Sequence, residues 1–241
     1  MPKRSLPIAP DRLLVDSTAR YELFSMMDAY QGYHKIFMTE EDRATYQRLV
    51  NRMFKDQIGK TMEVFVDDML VKSTEEDHLK NLEQAFRTMR AYGMKLNPSK
   101  CTFGVRCGKF LGYMVNEKGI EPNPEKIEAI AGLRSPRTLK EVQKLTGKIA
   151  SLSRFISRSA DRSLLFFKSL GKAKEFKWTE ECEQALQSLK RYLATPPLLA
   201  NPKVGEELFL YLAISEDVVS SVLVREQEKT QNPVYYVSKM L

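Results

Sequence analysis

Cysteine, histidine and tryptophan are scarce in this chain of 241 residues, which contains three, two and one of them respectively. The cysteines Cys101, Cys107 and Cys182 form no Cys-x-x-Cys pattern and have no histidine close by in the sequence. This spacing argues against both a disulfide framework and a zinc site. We expect three ordinary thiols, buried or half-exposed.

Long apolar runs are absent as well. No stretch approaches the roughly 20 apolar residues that span a bilayer, and the N-terminal Met-Pro-Lys-Arg-Ser precedes no signal-peptide apolar region. These absences predict an intracellular protein, cytoplasmic or nuclear, that is not secreted and has no membrane partner. The 43% hydrophobic and 29% charged residues that are present fit a globular protein with one large or two small cores. A net charge of +7 is compatible with a polyanionic partner.

Two adjacent aspartates, Asp67 and Asp68, lie between two short apolar runs in residues 62–72. The flanking Val, Phe, Met and Leu predict strands, and the aspartates fall where a tight hairpin would turn. Neighbouring carboxylates repel each other unless a cation or solvent screens them, and their oxygens suit Mg²⁺. The alternative is a solvated turn, because aspartate is a common turn residue.

A third aspartate, Asp28, ends another apolar run and precedes a turn that contains glycine. A carboxylate at the end of one strand, facing a carboxylate pair on a neighbouring hairpin, can hold two metal ions for in-line phosphoryl transfer. The three aspartates together therefore indicate a metal-dependent phosphoryl-transfer site.

These segments resemble the reverse transcriptase of gypsy-class long-terminal-repeat retrotransposons. Phe-Val-Asp-Asp at 65–68 is similar to the family's catalytic hairpin, and Met-Asp-Ala-Tyr-Gln-Gly-Tyr at 27–33 to its first catalytic segment. The resemblance implies an RNA-directed DNA polymerase in which Asp28 and Asp67 are direct ligands of Mg²⁺ or Mn²⁺ and Asp68 is a supporting carboxylate. It also implies that Tyr33 lies under the sugar of the incoming nucleotide; the alternative is a packing aromatic.

The same resemblance implies the partners. They are an RNA/DNA template–primer, deoxynucleoside triphosphates and other parts of a polyprotein.

The segment after the hairpin predicts a helix and a basic contact. Ser73 and Glu76 have the spacing of a capping box, and Gly93 is a natural stop. Between them the expected apolar face consists of Leu79, Leu82, Phe86 and Met89. His78 falls on the polar side, where we expect a solvated residue rather than a catalytic base. In the extended segment 93–103, the resemblance makes Lys100 a candidate general acid or phosphate contact.

Residues 109–115 predict one strand of a hairpin that turns at 116–119. The segment resembles the family's primer grip, in which backbone and aromatic surface hold the 3′ end of the primer. The implied residues are Phe110, Leu111, Gly112 and Tyr113. A simple hairpin strand is the alternative.

Two helices follow. The first has Asn123 before it and Pro124 in its first turn, and the second opens with the capping box Thr138 and Glu141. The second helix has a core stripe of Val142, Leu145, Ile149, Leu152 and Phe155 or Ile156. A different face carries Gln143, Gly147 and Ser151, bordered by Lys140, Lys144 and Lys148. This helix resembles the thumb helix that follows the minor groove of the template–primer; the alternative is a solvated lysine face.

The C-terminal part predicts a helix after Trp178 and three strands at 208–214, 218–225 and 234–237. This order resembles the opening of a ribonuclease H fold. The family's first strand ends in a metal-binding aspartate, and the matching residue here is Ala213. Because alanine cannot ligate a metal, we expect an incomplete, non-catalytic connection domain.

The expected fold class is α+β: a reverse-transcriptase palm-like antiparallel sheet with packed helices, a helical thumb and an incomplete ribonuclease H-like α/β domain. The expected domains are a truncated palm with the primer grip (1–122), a thumb and linker region (123–200) and the connection domain (201–241). The fingers and part of the palm are missing from the pattern, with a break between Asp42 and Arg43.

The prediction is therefore a reverse transcriptase fragment, impaired by an internal deletion. A non-catalytic nucleic-acid-binding remnant is the alternative, and a fragment that never folds stably is a third possibility.

Overall fold

The computed structural model describes residues 10–29, 46–65, 68–171, 177–203 and 205–241. The chain divides into two compact units, the N-terminal unit Met1–Ile120 and the C-terminal unit Glu121–Leu241. The finer division into palm, thumb and connection domain stays a prediction. Within the described ranges, no helix is both long and apolar enough to cross a membrane.

The N-terminal unit is built on a four-stranded antiparallel sheet in the order β2-β3-β1-β4. Its elements are α1 Pro10–Thr18, β1 Leu23–Asp28, α2 Tyr46–Met53, β2 Met62–Phe65, β3 Asp68–Ser73, α3 His78–Ala91, β4 Thr102–Val105, β5 Cys107–Phe110 and β6 Tyr113–Asn116. Strand β7, Gly119–Pro122, crosses into the next unit. The predicted strands on either side of the Asp67–Asp68 pair and before Asp28 are confirmed.

The core of this unit forms where α2 and α3 cover the sheet. Four consecutive residues of β1, Phe24 to Met27, are buried, because the strand lies between β3 and β4. The hydrophobic core cluster includes Leu49 of α2, Phe54 directly after it, Met62 and Met69 from the β2–β3 hairpin, and Met89 from α3. This packing fixes the strand ends at which the acidic residues lie.

The predicted capping box at Ser73 is wrong. Helix α3 begins at His78, its N-cap is Asp77, and no side chain bonds the free N–H groups there. Ser73 is the last residue of β3, and its hydroxyl lies 2.6 Å from His78 Nδ1. His78 is therefore buried instead of solvated, and Leu79, the next residue round the helix, is 80% exposed.

The predicted single strand 109–115 is also wrong. The chain turns inside it, at Leu111 and Gly112, so that Phe110 of β5 pairs with Tyr113 of β6. Leu111 has φ +49° and Gly112 φ +76°, and a two-residue type I′ hairpin requires positive φ at both positions. The usual Asn-Gly signal of such a turn is missing here, and leucine rarely adopts this conformation. The sequence therefore did not predict the turn. The second turn, predicted at 116–119, is confirmed.

The C-terminal unit contains four helices and a three-stranded antiparallel sheet in the order β11-β10-β9, among its described residues. Its elements are α4 Pro124–Ala131, α5 Leu139–Leu152, α6 Ser159–Gly171, α7 Glu180–Leu193, β8 Leu199–Ala200, β9 Leu208–Ile214, β10 Val218–Gln227 and β11 Thr230–Met240. The caps predicted at Asn123 and Thr138 are confirmed, since each side chain accepts a backbone N–H of the first turn. Helix α6 was not predicted.

The core stripe predicted for α5 is confirmed. Val142, Leu145, Ile149 and Leu152 are buried, as are Phe155 and Ile156 beyond the helix. Strand β11 is longer than predicted because it continues through Pro233, which lies where the register with β10 shifts. A proline lacks the N–H for a regular ladder but is tolerated at such an irregularity.

Candidate active site

Two of the three predicted acidic residues meet at one end of the palm-like sheet. Strands β1 and β3 pair antiparallel with Asp28 opposite Asp68, so both side chains lie on the same face of the sheet. The Asp28 carboxylate is 26% exposed and Asp68 is exposed. Phe65 pairs with Asp68 in the β2–β3 hairpin. Asp67, the second predicted ligand, and Tyr33 lie outside the described residues.

Lys100 lies beside this pair. The segment that follows α3 meets the end of β1 at Asn97, whose N–H donates to the Asp28 carbonyl at 2.9 Å, and then forms a short 3₁₀ turn, Pro98–Lys100. The Asn97 side chain accepts the N–H of Ser99 and so begins this turn. At the end of the turn, Lys100 Nζ is 3.5 Å from Asp28 Oδ2. The main chain thus holds the lysine next to the carboxylate.

The β5–β6 hairpin also reaches this end of the sheet. Gly108 in β5 is buried because the Met26 side chain of β1 packs where a Cβ atom would stand. This close approach brings the Leu111–Gly112 turn to the strand that carries Asp28. We expected Phe110 and Tyr113 to offer aromatic surface, but both rings are buried. Leu111 and Gly112 are only half-buried, so the turn is the part of this segment available to a ligand.

A pocket of about 440 Å³ connects these groups. Its polar lining includes Asp28, Asp68, Lys100 and Lys109, and its wall includes the Leu111–Gly112 turn. The side chains of Met26, Met27 and Met69 are buried and also line it. Lys109 is a charged lining residue that we did not predict for the site, although it directly precedes the predicted primer grip.

The carboxylate pair has the chemistry of a site for a hard divalent cation. Like charges directly opposite each other on neighbouring strands destabilise a sheet unless they are compensated. Carboxylate oxygens are the donors that Mg²⁺ takes, and one or two of them suffice when water and phosphates complete its shell. The described residues include no cluster of three or more His, Cys, Asp or Glu side chains. Two carboxylates with an open pocket beside them fit Mg²⁺ or Mn²⁺.

The second predicted binding surface is on α5, in the C-terminal unit. Gln143, Gly147 and Ser151 are exposed along one side of this helix, and Lys140 and Lys144 are exposed beside them. A Cβ atom at Gly147 would meet nothing within 4 Å. Lys148 differs from its neighbours, because its Nζ donates to the Ala129 carbonyl of α4 at 3.2 Å.

The ribonuclease H-like segment has Ala213 at the position where, by the resemblance, the family has a metal-binding aspartate. Ala213 lies in β9 opposite Ser220 of β10 and is exposed. Its methyl group cannot bind a metal ion. The expectation of a non-catalytic domain therefore stands as a prediction.

Two protein families match the sequence. "Reverse transcriptase (RNA-dependent DNA polymerase)" matches residues 43–115, and "RNase H-like domain found in reverse transcriptase" matches residues 178–241. The first match begins at Arg43, the first residue after the predicted break. It contains Asp68, Lys100 and the Leu111–Gly112 turn.

Curated relatives are retrotransposon polyproteins. The Retrovirus-related Pol polyprotein from transposon 412 of Drosophila melanogaster is 28% identical over 252 residues, covering 94% of this chain and 20% of that polyprotein. The Transposon Tf2-3 polyprotein of Schizosaccharomyces pombe is 27% identical over 200 residues, covering 82% of this chain and 15% of that polyprotein. The chain thus spans a fifth or less of these relatives. The alignment with the transposon 412 polyprotein, 252 residues, is longer than this chain of 241 residues, so that polyprotein has residues in the aligned region that this chain lacks.

Solved structures share the fold. A foamy viral protease-reverse transcriptase dRH in complex with double-stranded DNA matches with a TM-score of 0.82 at 21% identity, covering 100% of this chain and 47% of that one. The foamy viral protease-reverse transcriptase in complex with an RNA/DNA hybrid matches with a TM-score of 0.76 at 21% identity, covering 94% and 35%. The predicted fold class is confirmed. The chain therefore matches a reverse transcriptase domain over residues 43–115 and an RNase H-like domain over residues 178–241, and its homologues are retrotransposon polyproteins.

Proposed function

We propose that this chain is a fragment of an RNA-directed DNA polymerase that transfers nucleotides to the 3′ end of a primer on an RNA or DNA template. The observation that carries the proposal is the pocket in which Asp28 faces Asp68, with Lys100 and the Leu111–Gly112 turn beside them. Acidic, basic and backbone groups meet there within reach of one small ligand. A reaction on phosphates needs this combination.

Each group has a part in the proposed reaction. Asp28 and Asp68, together with Asp67, would hold Mg²⁺ or Mn²⁺, which when bound neutralises charge on the phosphates and lowers the pKa of the attacking hydroxyl. The Leu111–Gly112 turn holds the primer end. Lys100 meets the departing pyrophosphate, and Tyr33 selects against a ribose 2′-hydroxyl.

The proposed nucleic-acid partner has support of two kinds. The two foamy viral structures that share this fold are complexes with double-stranded DNA and with an RNA/DNA hybrid. In this chain, α5 exposes a polar strip, Gln143, Gly147 and Ser151, bordered by the exposed Lys144 and the half-buried Lys148. Lysines beside a duplex bind its phosphates and give affinity without sequence preference.

Primer extension tests the catalytic proposal. The purified chain is incubated with a DNA primer on an RNA template, deoxynucleoside triphosphates and Mg²⁺. Because the predicted deletion removes part of the nucleotide pocket, we expect slow extension that Asp28→Asn and Asp68→Asn each abolish. Asp56→Asn makes the same chemical change at an exposed residue that lies outside the pocket lining and should leave the rate unchanged. Extension that survives Asp28→Asn would contradict the proposal.

A non-catalytic duplex-binding remnant is the second candidate, and the exposed glycine in α5 favours it. Among the described residues, no atom lies within 4 Å of the position that a Cβ at Gly147 would occupy. Packing therefore does not explain the glycine, whereas close approach of a ligand would. Binding to an RNA/DNA hybrid should fall steeply with salt, and Lys144→Gln should reduce the slope of log K against log salt by about one unit. Hybrid binding without any Mg²⁺-dependent extension would select this second function. Like the first, it places the protein inside the cell, where the nucleic acid is.

A further inference from the structure

We infer that Lys100 is the counter-ion of Asp28 in the metal-free chain, and that a divalent metal ion must displace the lysine ammonium group to bind this carboxylate. The inference rests on the proposed function, because it assigns a regulating role at the same metal site. Lys100 then holds two successive partners, first Asp28 and afterwards an anionic phosphate.

The acidic pair needs a cation even before a metal arrives. Asp28 and Asp68 are opposite each other in the β1–β3 register, an arrangement that repulsion disfavours. Lys100 Nζ, 3.5 Å from Asp28 Oδ2, is the cation that compensates Asp28 in the described part of the chain. The palm can therefore keep its strand ends paired without bound metal.

Lys100 is placed by the backbone and not by packing of its side chain. The Asn97 N–H bonds the carbonyl of Asp28 itself, and Ala29 bridges to Leu96. These bonds attach the segment that carries Lys100 to the end of β1. Lys100 therefore stays beside the Asp28 carboxylate when the strand end moves. The Lys100 side chain is 63% exposed, so the ammonium group can leave Asp28 and enter solvent or the pocket without breaking core contacts.

Lysine and metal ion compete for the same oxygen atoms. A Mg²⁺ ion binds its oxygen ligands at about 2.0–2.1 Å, and an ammonium group left on the same carboxylate would face a double positive charge within a few ångströms. At this distance the repulsion exceeds the attraction of one exposed ion pair. The lysine must leave Asp28 as the metal binds, and it then becomes available to a phosphate. Metal and phosphate binding are thus coupled, and coupling between two sites is reciprocal.

Metal titrations of the full chain test this inference without an activity assay. Mn²⁺ is the probe, and its free concentration is followed by electron paramagnetic resonance in the absence of nucleotide and nucleic acid. Lys100→Gln removes the competitor and should lower the Kd for Mn²⁺ by about two- to fivefold, the range that one exposed ion pair supplies. Lys100→Arg keeps a cation that can pair with the carboxylate, and it should keep the wild-type Kd.

Two controls separate the possible results. Lys95→Gln removes the same charge from an exposed lysine of the same segment and should change the Kd much less than Lys100→Gln. Asp28→Asn should weaken binding. If Asp28→Asn weakens binding and Lys100→Gln leaves the Kd unchanged or raises it, the counter-ion inference is wrong and the metal site stands. If Asp28→Asn has no effect, the proposed metal site fails and the inference fails with it.

Discussion

Two polar clusters are buried in the N-terminal unit, and each joins residues from separate elements. In the first, Lys72 Nζ lies 2.6 Å from Glu63 Oε1, and the Ser17 hydroxyl donates to the same oxygen at 2.9 Å. Burial lowers the pKa of Lys72, while its hydrogen bond to Glu63 opposes that shift. Loss of one member would leave a buried charge without compensation. Because neither charged residue lines the pocket, the cluster serves to hold α1 against β2 and β3.

The second cluster makes stability depend on pH. His78 lies between the hydroxyls of Ser25, at 2.8 Å from Nε2, and Ser73, at 2.6 Å from Nδ1. Burial lowers the pKa of His78 below its usual value of 6.5. Below pH 6.5 the unfolded chain therefore takes up a proton that the folded chain resists. The contribution of His78 to the free energy of unfolding is complete above pH 6.5 and falls as the pH drops, by at most about 1.4 kcal/mol per pH unit.

Urea unfolding at pH 7.5 and pH 5.5 measures this effect. His78→Gln keeps hydrogen-bonding atoms but does not titrate, so the variant should lose less stability between the two pH values than the natural chain. The carboxylates titrate in both proteins and cancel in the comparison. Equal losses would show that His78 binds its proton alike in the folded and unfolded chain.

At the scale of single elements, local sequence patterns predicted what depends on neighbours along the chain. The caps at Asn123 and Thr138 and the core stripe of α5 follow from spacings of two to four residues. The burial of His78 could not be predicted in this way, because its partner Ser25 is 53 residues distant in sequence. The turn at Leu111 was missed for another reason. A leucine at positive φ is strained, and tertiary packing imposes the conformation against its local preference.

Helix α5 supports a prediction that separates stability from binding. Gly147 is in mid-helix, where glycine is less stable than alanine by about 1 kcal/mol, and an added Cβ would meet no atom within 4 Å. Gly147→Ala should therefore raise the free energy of unfolding by up to about 1 kcal/mol. If a duplex approaches this strip closely, the same change should weaken binding to an RNA/DNA hybrid.

The two effects are measured on the same protein, by urea unfolding and by fluorescence anisotropy with a labelled hybrid. Ala150→Gly is the matched control, since Ala150 is exposed on the same helix and the change removes a methyl group that could obstruct a duplex instead of adding one. It should lose stability by a similar amount and keep its affinity. A Gly147→Ala chain that binds as tightly as the natural one would remove the strip from the proposed interface.

For the whole molecule, sequence order and family resemblance predicted the fold class, but burial across the C-terminal sheet was harder to predict. Strand β9 is a continuous apolar run, Leu-Phe-Leu-Tyr-Leu-Ala-Ile, the composition of a strand buried on both faces. In the described structure it lies at the edge of its sheet. Leu210, Leu212 and Ile214 on one face are 60%, 66% and 76% exposed. A sequence pattern reports what a strand can bury and not what covers it.

An apolar edge strand of this kind favours association of the chain with itself, because it presents unpaired backbone groups together with exposed hydrophobic surface. The double change Leu212→Lys and Ile214→Lys places two charges on this edge, the device by which natural sheets avoid such pairing. We expect the variant to remain monomeric at concentrations where the natural chain forms larger species in sedimentation velocity. Ala194→Lys with Thr195→Lys adds the same charge at exposed positions after α7 and should not have this effect. If both double variants reduce association equally, net charge and not the β9 edge governs it.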